Sequence, residues 1–256
     1  MVRSALAAAL IAFSALGFAQ AQKAPDYEPQ VGQEGKDVVW VPTPQAVADK
    51  MLDMAKVTAK DYVMDLGSGD GRLVITAAKR GATALGIEYN PDMVALSRRN
   101  AAAAGMSARA KFEKADLFET DFSKASVITM FLLPDINLKL RPQLLKLKPG
   151  TRIVSNTFTM GDWQPDATTE LASTGGCENS WCTALLWIVP AQFAGSHKTP
   201  QGELTLKQEY QMLTGSLRTS GATYAIKGKA NGEQISFTAG GKTYSGRLNG
   251  KTLELK

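Results

Sequence analysis

The stretch Val63-Met64-Asp65-Leu66-Gly67-Ser68-Gly69-Asp70-Gly71-Arg72 decides the fold. An apolar run carries one acid, and three glycines then alternate with small polar residues. Tyr62 to Leu66 reads as a buried strand and Arg72 to Lys79 as the helix that follows it. Between them, Gly67, Gly69 and Gly71 let the backbone approach a ligand with no Cβ in the way. The helix start offers free N–H groups and the positive end of a dipole. A pyrophosphate would suit such a loop. The spacing, however, is G-x-G-x-G rather than G-x-G-x-x-G, and Asp65 sits two residues ahead of the first glycine, where it repels a pyrophosphate. An acid there suits an ammonium beside a carboxylate, that is, an amino-acid moiety. The loop from Asp65 through Ser68 and Asp70 therefore favours S-adenosylmethionine over a nicotinamide dinucleotide.

Elements alternate on either side of this loop. Upstream, Val47, Met51, Met54 and Ala55 recur at helical spacing, and Thr43-Pro44 suits the start of that helix. Downstream, the pattern predicts strands at Ala82 to Glu88, Lys111 to Ala115, Ser126 to Leu133 and Thr151 to Phe158. Helices are expected at Pro91 to Ala104 and Ile136 to Leu147. This rhythm predicts an α/β fold, a parallel sheet with helices on both faces. Glu88 ends the second strand, 21 residues beyond Gly67, where a carboxylate accepts from both hydroxyls of a ribose. Asp116 follows the third strand, placed for an adenine amino group, with Leu117 and Phe118 beside it to pack on the ring. Three acids at three successive strand ends mark the edge where open α/β sheets bind ligands.

In this order, Asp65 to Gly71, Glu88 and Asp116-Leu117 resemble the class I S-adenosylmethionine-dependent methyltransferases, over about Trp40 to Pro190. Val41-Pro42-Thr43-Pro44, Asp65 to Arg72 and Asn90-Pro91 are similar to a subgroup that includes mitochondrial protein-lysine methyltransferases. The resemblance implies a Rossmann-like methyltransferase sheet and S-adenosylmethionine as cofactor. From the subgroup it implies Val41, Pro42 and Thr43 as a lid over the methionine end, and a protein lysine as methyl acceptor. The fourth strand ends in Phe131-Leu132-Leu133-Pro134, without the Asn/Asp-Pro-Pro-Tyr/Phe quartet of amino-group DNA methyltransferases, which argues against a nucleobase. The acceptor pocket is expected between Phe131 to Pro134, Asn156-Thr157-Phe158 and Trp40-Val41. Asp135 and Asn156 are its nearest polar candidates for catalysis; each also has a simpler role, as helix cap or loop hydrogen-bonding group.

The rest of the chain sets the context. Residues 1–21 have the parts of a secretory signal peptide: Arg3, an apolar Ser4 to Phe18, and Ala19-Gln20-Ala21 before a mature start at Gln22. The expected location is periplasmic or secreted, the alternative an uncleaved membrane anchor; no further apolar stretch approaches the length of a span. Residues 22–39 read as an extended lead-in, 40–190 as the cofactor-binding unit, and 191–256 as an antiparallel meander of about six strands or a partial barrel. Cys177 and Cys182 read as a hairpin-closing disulfide in an oxidising compartment, the alternative being two free thiols. They form no zinc site with the lone His197, read as a surface loop residue, and no metal is expected. The net charge of +5 is spread without a basic, aromatic-interleaved patch, so no nucleic-acid partner is expected. The sequence carries no signal for an oligomeric state. Because fold alone does not establish catalysis, an exported binding or scaffolding protein on this fold stands as the alternative to an enzyme.

Overall fold

The computed structural model describes residues 27–171, 177, 180–250 and 252–256. The expected leader, its cleavage point and the first residues of the lead-in lie outside them. The first unit runs α1 (Gln45–Met54), β1 (Tyr62–Leu66), α2 (Arg72–Lys79), β2 (Thr83–Glu88), α3 (Pro91–Ala103), β3 (Ala110–Lys114), β4 (Val127–Met130), α4 (Pro134–Leu144), β5 (Arg152–Asn156), β6 (Ala167–Glu170) and β7 (Thr183–Ile188). Its strands lie in the order β3-β2-β1-β4-β5-β7-β6. Strands β1 to β5 are parallel, whereas β7 runs antiparallel to both β5 and β6. The five strands expected from the sequence are parallel as predicted, and β6 and β7 add an antiparallel edge that makes the sheet mixed. Strand order reverses at β1, and the crevice at its carboxyl end is where such sheets take ligands.

Side-chain alternation divides the core. Val63, Val127 and Val154 pack under α1, α2 and α3, against residues such as Val47, Met51, Val74 and Val94. Met64, Ile128 and Ile153 face the other way, against Ile136, Leu140 and Leu144 of α4. By the same alternation Asp65 points to the side of α1 to α3. A partly buried ion pair ties the base of the sheet together: Arg152 meets Asp61 and donates to the Ala55 carbonyl at the end of α1. Burial works against the Asp61 charge, but Arg152 and hydrogen bonds from Thr58 and Ser126 hold its carboxyl below the usual range.

Several element ends differ from expectation. Pro134 begins α4 and requires an extended Leu133 before it, so β4 stops at Met130 and leaves Phe131-Leu132-Leu133 as a connection. Helix α1 begins at Gln45 with Pro44 at its N-cap position, in keeping with Thr43-Pro44 at the helix start. The Cys177–Cys182 disulfide closes the loop between β6 and β7, as the cysteine spacing predicts.

The second sheet is an up-and-down meander of β8 (Gly195–Thr199), β9 (Gly202–Glu209), β10 (Met212–Arg218), β11 (Thr223–Asn231), β12 (Gln234–Ala239), β13 (Lys242–Asn249) and β14 (Thr252–Leu255). It has seven strands rather than six, because β8 holds His197, whose ring nitrogen lies 2.8 Å from the Phe193 carbonyl. Alternate residues, among them Leu204, Leu213, Ile226 and Phe237, fill a core of its own. The two units also touch. Lys229 pairs with Asp166 at 2.7 Å, Gln211 donates to the Gln164 carbonyl, and Tyr210 stacks on the buried Trp163. Among the described residues no helix is long and apolar enough to cross a membrane.

Candidate active site

The loop after β1 is a left-handed series, with φ of +77° at Gly67, +53° at Gly69 and +85° at Gly71. The N–H groups of Gly67 and Ser68 both donate to the Ile87 carbonyl, which pins the loop to β2. Gly69 N–H donates to Glu88 Oε2 and Asn90 N–H to Glu88 Oε1, each at 2.9 Å. One carboxylate thus joins the glycine loop to the turn before α3, and each of its oxygens keeps a lone pair for a second donor. From below, α3 holds the loop through Ser97 Oγ to the Gly69 carbonyl and Asn100 Nδ2 to the Asp70 carbonyl. Asp70 itself accepts from the Arg72 N–H at the first residue of α2 and pairs with the Arg72 guanidinium.

Asp65 is buried to 2% exposure and accepts from the Thr129 hydroxyl at 2.6 Å across the β1–β4 pairing. Burial pushes its carboxyl up to about 7; the Thr129 bond opposes this, and the nearby charges of Asp70 and Glu88 add to it. Among the described residues no cation pairs with it. A buried carboxylate in that state is poised for a cationic ligand. Ser68 Oγ, also buried in the loop, has no partner either.

The lead-in is not a featureless extension. Residues 33–43 fold over the crevice as a roof, with Trp40 N–H donating to the Gln33 carbonyl and Gly32 N–H to the Trp40 carbonyl. Trp40 lies on Gly69, where a Cβ would come within 2.7 Å of the indole nitrogen. Lys36 reaches Asp116 and sits over the Tyr89 ring at 4.7 Å, so the roof spans the ends of β2 and β3. Its ammonium holds the Asp116 carboxyl below the usual range.

One cleft is lined by Val41, Pro42 and Thr43 from the roof, by Asp65, Gly67, Ser68, Gly69 and Asp70 from the loop, and by Glu88, Asp116 and Leu117 from the next strand ends. Four expected residues fall elsewhere, Asn156 among them. Gly71 does not line it; a Cβ there would meet the Phe112 ring at 2.8 Å and Ser97 at 3.0 Å, so this glycine serves helix-to-strand packing. Phe118 lies under the Lys139 ammonium instead of in the cleft. Asp135 is exposed in the first turn of α4, where Leu133 is the cap residue, so neither a cap nor a place in the cleft falls to it.

Asn156 ends β5 fully buried; its Oδ1 accepts from the Thr157 hydroxyl and its Nδ2 has no partner. It too lies outside the cleft lining. Beyond it the backbone turns sharply: Thr157 has φ +60°, and Phe158 N–H donates back to the Asn156 carbonyl at 2.6 Å. A β-branched residue in that region is strained by about 1–3 kcal/mol. The turn brings Phe158 onto Phe131, ring centroids 5.8 Å apart and stacked, with Trp181 against both at 5.3 and 5.9 Å. Phe131 also lines the cleft. The sequence places Phe131 and Phe158 at the acceptor end but gives Trp181 no such role; the one signal for it is its position directly before Cys182.

The ANTKMT methyltransferase domain family matches residues 65–167. A protein-lysine N-methyltransferase of Saccharolobus islandicus (strain REY15A) is 47% identical over 131 residues, covering 50% of this chain and 81% of that protein. The adenine nucleotide translocase lysine N-methyltransferase of Mus musculus is 38% identical over 107 residues, covering 41% of this chain and 47% of its own length. Among solved structures, an RNA methyltransferase from Salinibacter ruber in complex with S-adenosyl-L-homocysteine is 46% identical with a TM-score of 0.55, over 60% of this chain and 96% of that one. The family match ends before β7 and the seven-stranded meander.

Proposed function

The chain belongs to the class I S-adenosylmethionine-dependent methyltransferases, of the protein-lysine methyltransferase type, and on that premise we propose that it methylates a protein side-chain amine outside the cytoplasm. The observation that carries this reading is a buried carboxylate, Asp65, without a cation partner among the described residues, in a cleft completed by Glu88 and Asp116. Asp65 would receive the ammonium of S-adenosylmethionine, Glu88 the ribose hydroxyls, and Asp116, now paired with Lys36, the adenine amino group. The roof from Gln33 to Thr43 would exclude water. When bound, the cofactor supplies a methyl group on a sulfonium that is already activated. The protein's task is then to hold an amine in line and desolvated, and positioning of that kind is worth roughly 7–11 kcal/mol. Removing a proton from a lysine is favoured by an apolar surrounding, which lowers its pKa.

Calorimetric titration of the mature protein should show S-adenosylmethionine binding at one site. Incubation of an envelope fraction with labelled cofactor should mark lysine side chains, read by mass spectrometry. A folded protein that binds no cofactor would sink the proposal, and binding without transfer to any fraction would leave a binding protein on this fold. The leader supports an exported location; a mature chain starting at Gln22 in the periplasm is the expected result, and a full-length cytoplasmic protein would refute it.

A further inference from the structure

We infer that Phe131, Phe158 and Trp181 form the acceptor subsite, an aromatic wall for the stem and ammonium of a lysine-type amine, whose third ring is held in place by the Cys177–Cys182 disulfide. This rests on the methyl-transfer reading above. Three different elements deliver the rings to one spot: Phe131 follows β4, Phe158 follows β5 and Trp181 precedes β7. All three remain partly exposed, whereas Trp163, Trp187 and Phe122 are sealed in the core. Because Phe131 also lines the cofactor cleft, the wall begins where the cleft ends.

Its placement is enforced. The strained Thr157 turn survives because the Phe158 carbonyl is held twice, by Ser155 Oγ at 2.8 Å and by Asn137 Nδ2 at 3.2 Å. On the other side, Trp181 stands next to a cysteine whose disulfide closes a loop of sequence separation 5. A short covalent loop restricts the positions open to that indole.

The ring spacing limits how a ligand can bind. Centroids 5.3–5.9 Å apart put the rings in direct mutual contact, with no slot of ring thickness between any two. A nucleobase therefore cannot be sandwiched there. An alkylammonium needs only the outer face of the wall, where cation–π attraction and packing of its methylene stem both act.

The test is a titration of the full mature protein, 15N-labelled at tryptophan and saturated with S-adenosylhomocysteine, against Nε-trimethyllysine and separately against adenosine. Trimethyllysine should shift the Trp181 indole resonance. Trp181→Leu, which keeps apolar packing on Phe131 and Phe158, should weaken trimethyllysine about fivefold to tenfold, followed by the protein's other resonances. Reducing the disulfide should do the same. In both cases the affinity for S-adenosylhomocysteine should change by less than about twofold. A shift with adenosine and none with trimethyllysine would overturn the amine class in favour of a base. No shift with either would remove the subsite, and equal losses of trimethyllysine and S-adenosylhomocysteine would make Trp181 structural. Failure of S-adenosylhomocysteine to bind the unaltered protein would instead overturn the methyl-transfer reading itself.

Discussion

Asp65→Asn is expected to weaken S-adenosylmethionine about 100-fold and, at the same time, to abolish a loss of stability that builds up as pH rises from about 4 to about 7. The first effect follows from removing one partner of a buried, hydrogen-bonded charge pair, which costs roughly 2–5 kcal/mol. The second follows from burial. The folded-state carboxyl titrates at about 7, while an unfolded aspartate titrates near 4. Below the unfolded value both states are protonated and the stability is intact. Between about pH 4 and 7 the unfolded chain releases its proton while the folded state keeps it, so stability falls across that window and levels off once the folded carboxyl has ionised. Asparagine cannot ionise and still accepts the Thr129 hydroxyl, so that part of the slope should vanish from melting curves taken between pH 5 and 8. Cofactor affinity should move oppositely in the unaltered protein. Its ammonium stays charged below about 7.7, so a carboxyl ionising at about 7 makes binding roughly fivefold tighter at pH 7 than at pH 6. Equal affinity at both pH values, with Asp65→Asn binding like the parent, would show that this acid does not meet the cofactor.

That acid is legible from sequence because the pattern that marks it is local, one strand, one loop and one helix start within ten residues of one another, although its hydrogen-bond partner Thr129 lies 64 residues away. Glu88 and Asp116 were legible for a related reason, since each ends a strand whose apolar pattern marks its place at the sheet edge. The roof was not. Lys36 meets Asp116 across 80 residues, and a polar segment with Pro29, Gly32 and Gly35 has no periodicity to announce that it folds over anything. The acceptor side was half legible. Phe131 and Phe158 follow predicted strands, but the positive φ at Thr157 runs against the preference of a β-branched residue, so no propensity argument reaches it. Strand β6 is short and polar, Ala167-Thr168-Thr169-Glu170, and exists by pairing with β7 rather than by burying a face of its own. Gly71 is a different case: a glycine in a ligand loop can face the scaffold as well as the ligand, and here a Cβ would meet Phe112 and Ser97.

That distinction yields the second large effect. Gly71→Ala is expected to destabilise the protein by about 3 kcal/mol, although it adds a single methyl group outside the cleft. Two costs combine. At φ +85° an L-residue is disfavoured by roughly 1–2 kcal/mol. The new Cβ would also lie 2.8 Å from the buried Phe112 ring and 3.0 Å from Ser97 Cβ, and overpacking of that sort costs about 1–3 kcal/mol. In a chain of this size such a loss lowers the melting temperature by roughly 6–12 °C. Gly105→Ala separates the terms. Gly105 has φ +70° after α3 with nothing within 4 Å of its would-be Cβ, so it carries the conformational cost without the clash and should lose only about 1–2 kcal/mol. Binding should separate them as well. Ser97 and Asn100 hold the Gly69 and Asp70 carbonyls from α3, so pushing Phe112 and Ser97 away from Gly71 shifts the loop that lines the cleft. Gly71→Ala should therefore weaken S-adenosylhomocysteine at least tenfold below its melting transition, while Gly105→Ala leaves it unchanged. Equal melting temperatures for the two variants would mean that the close packing behind the loop contributes nothing, and that strain alone explains the glycine.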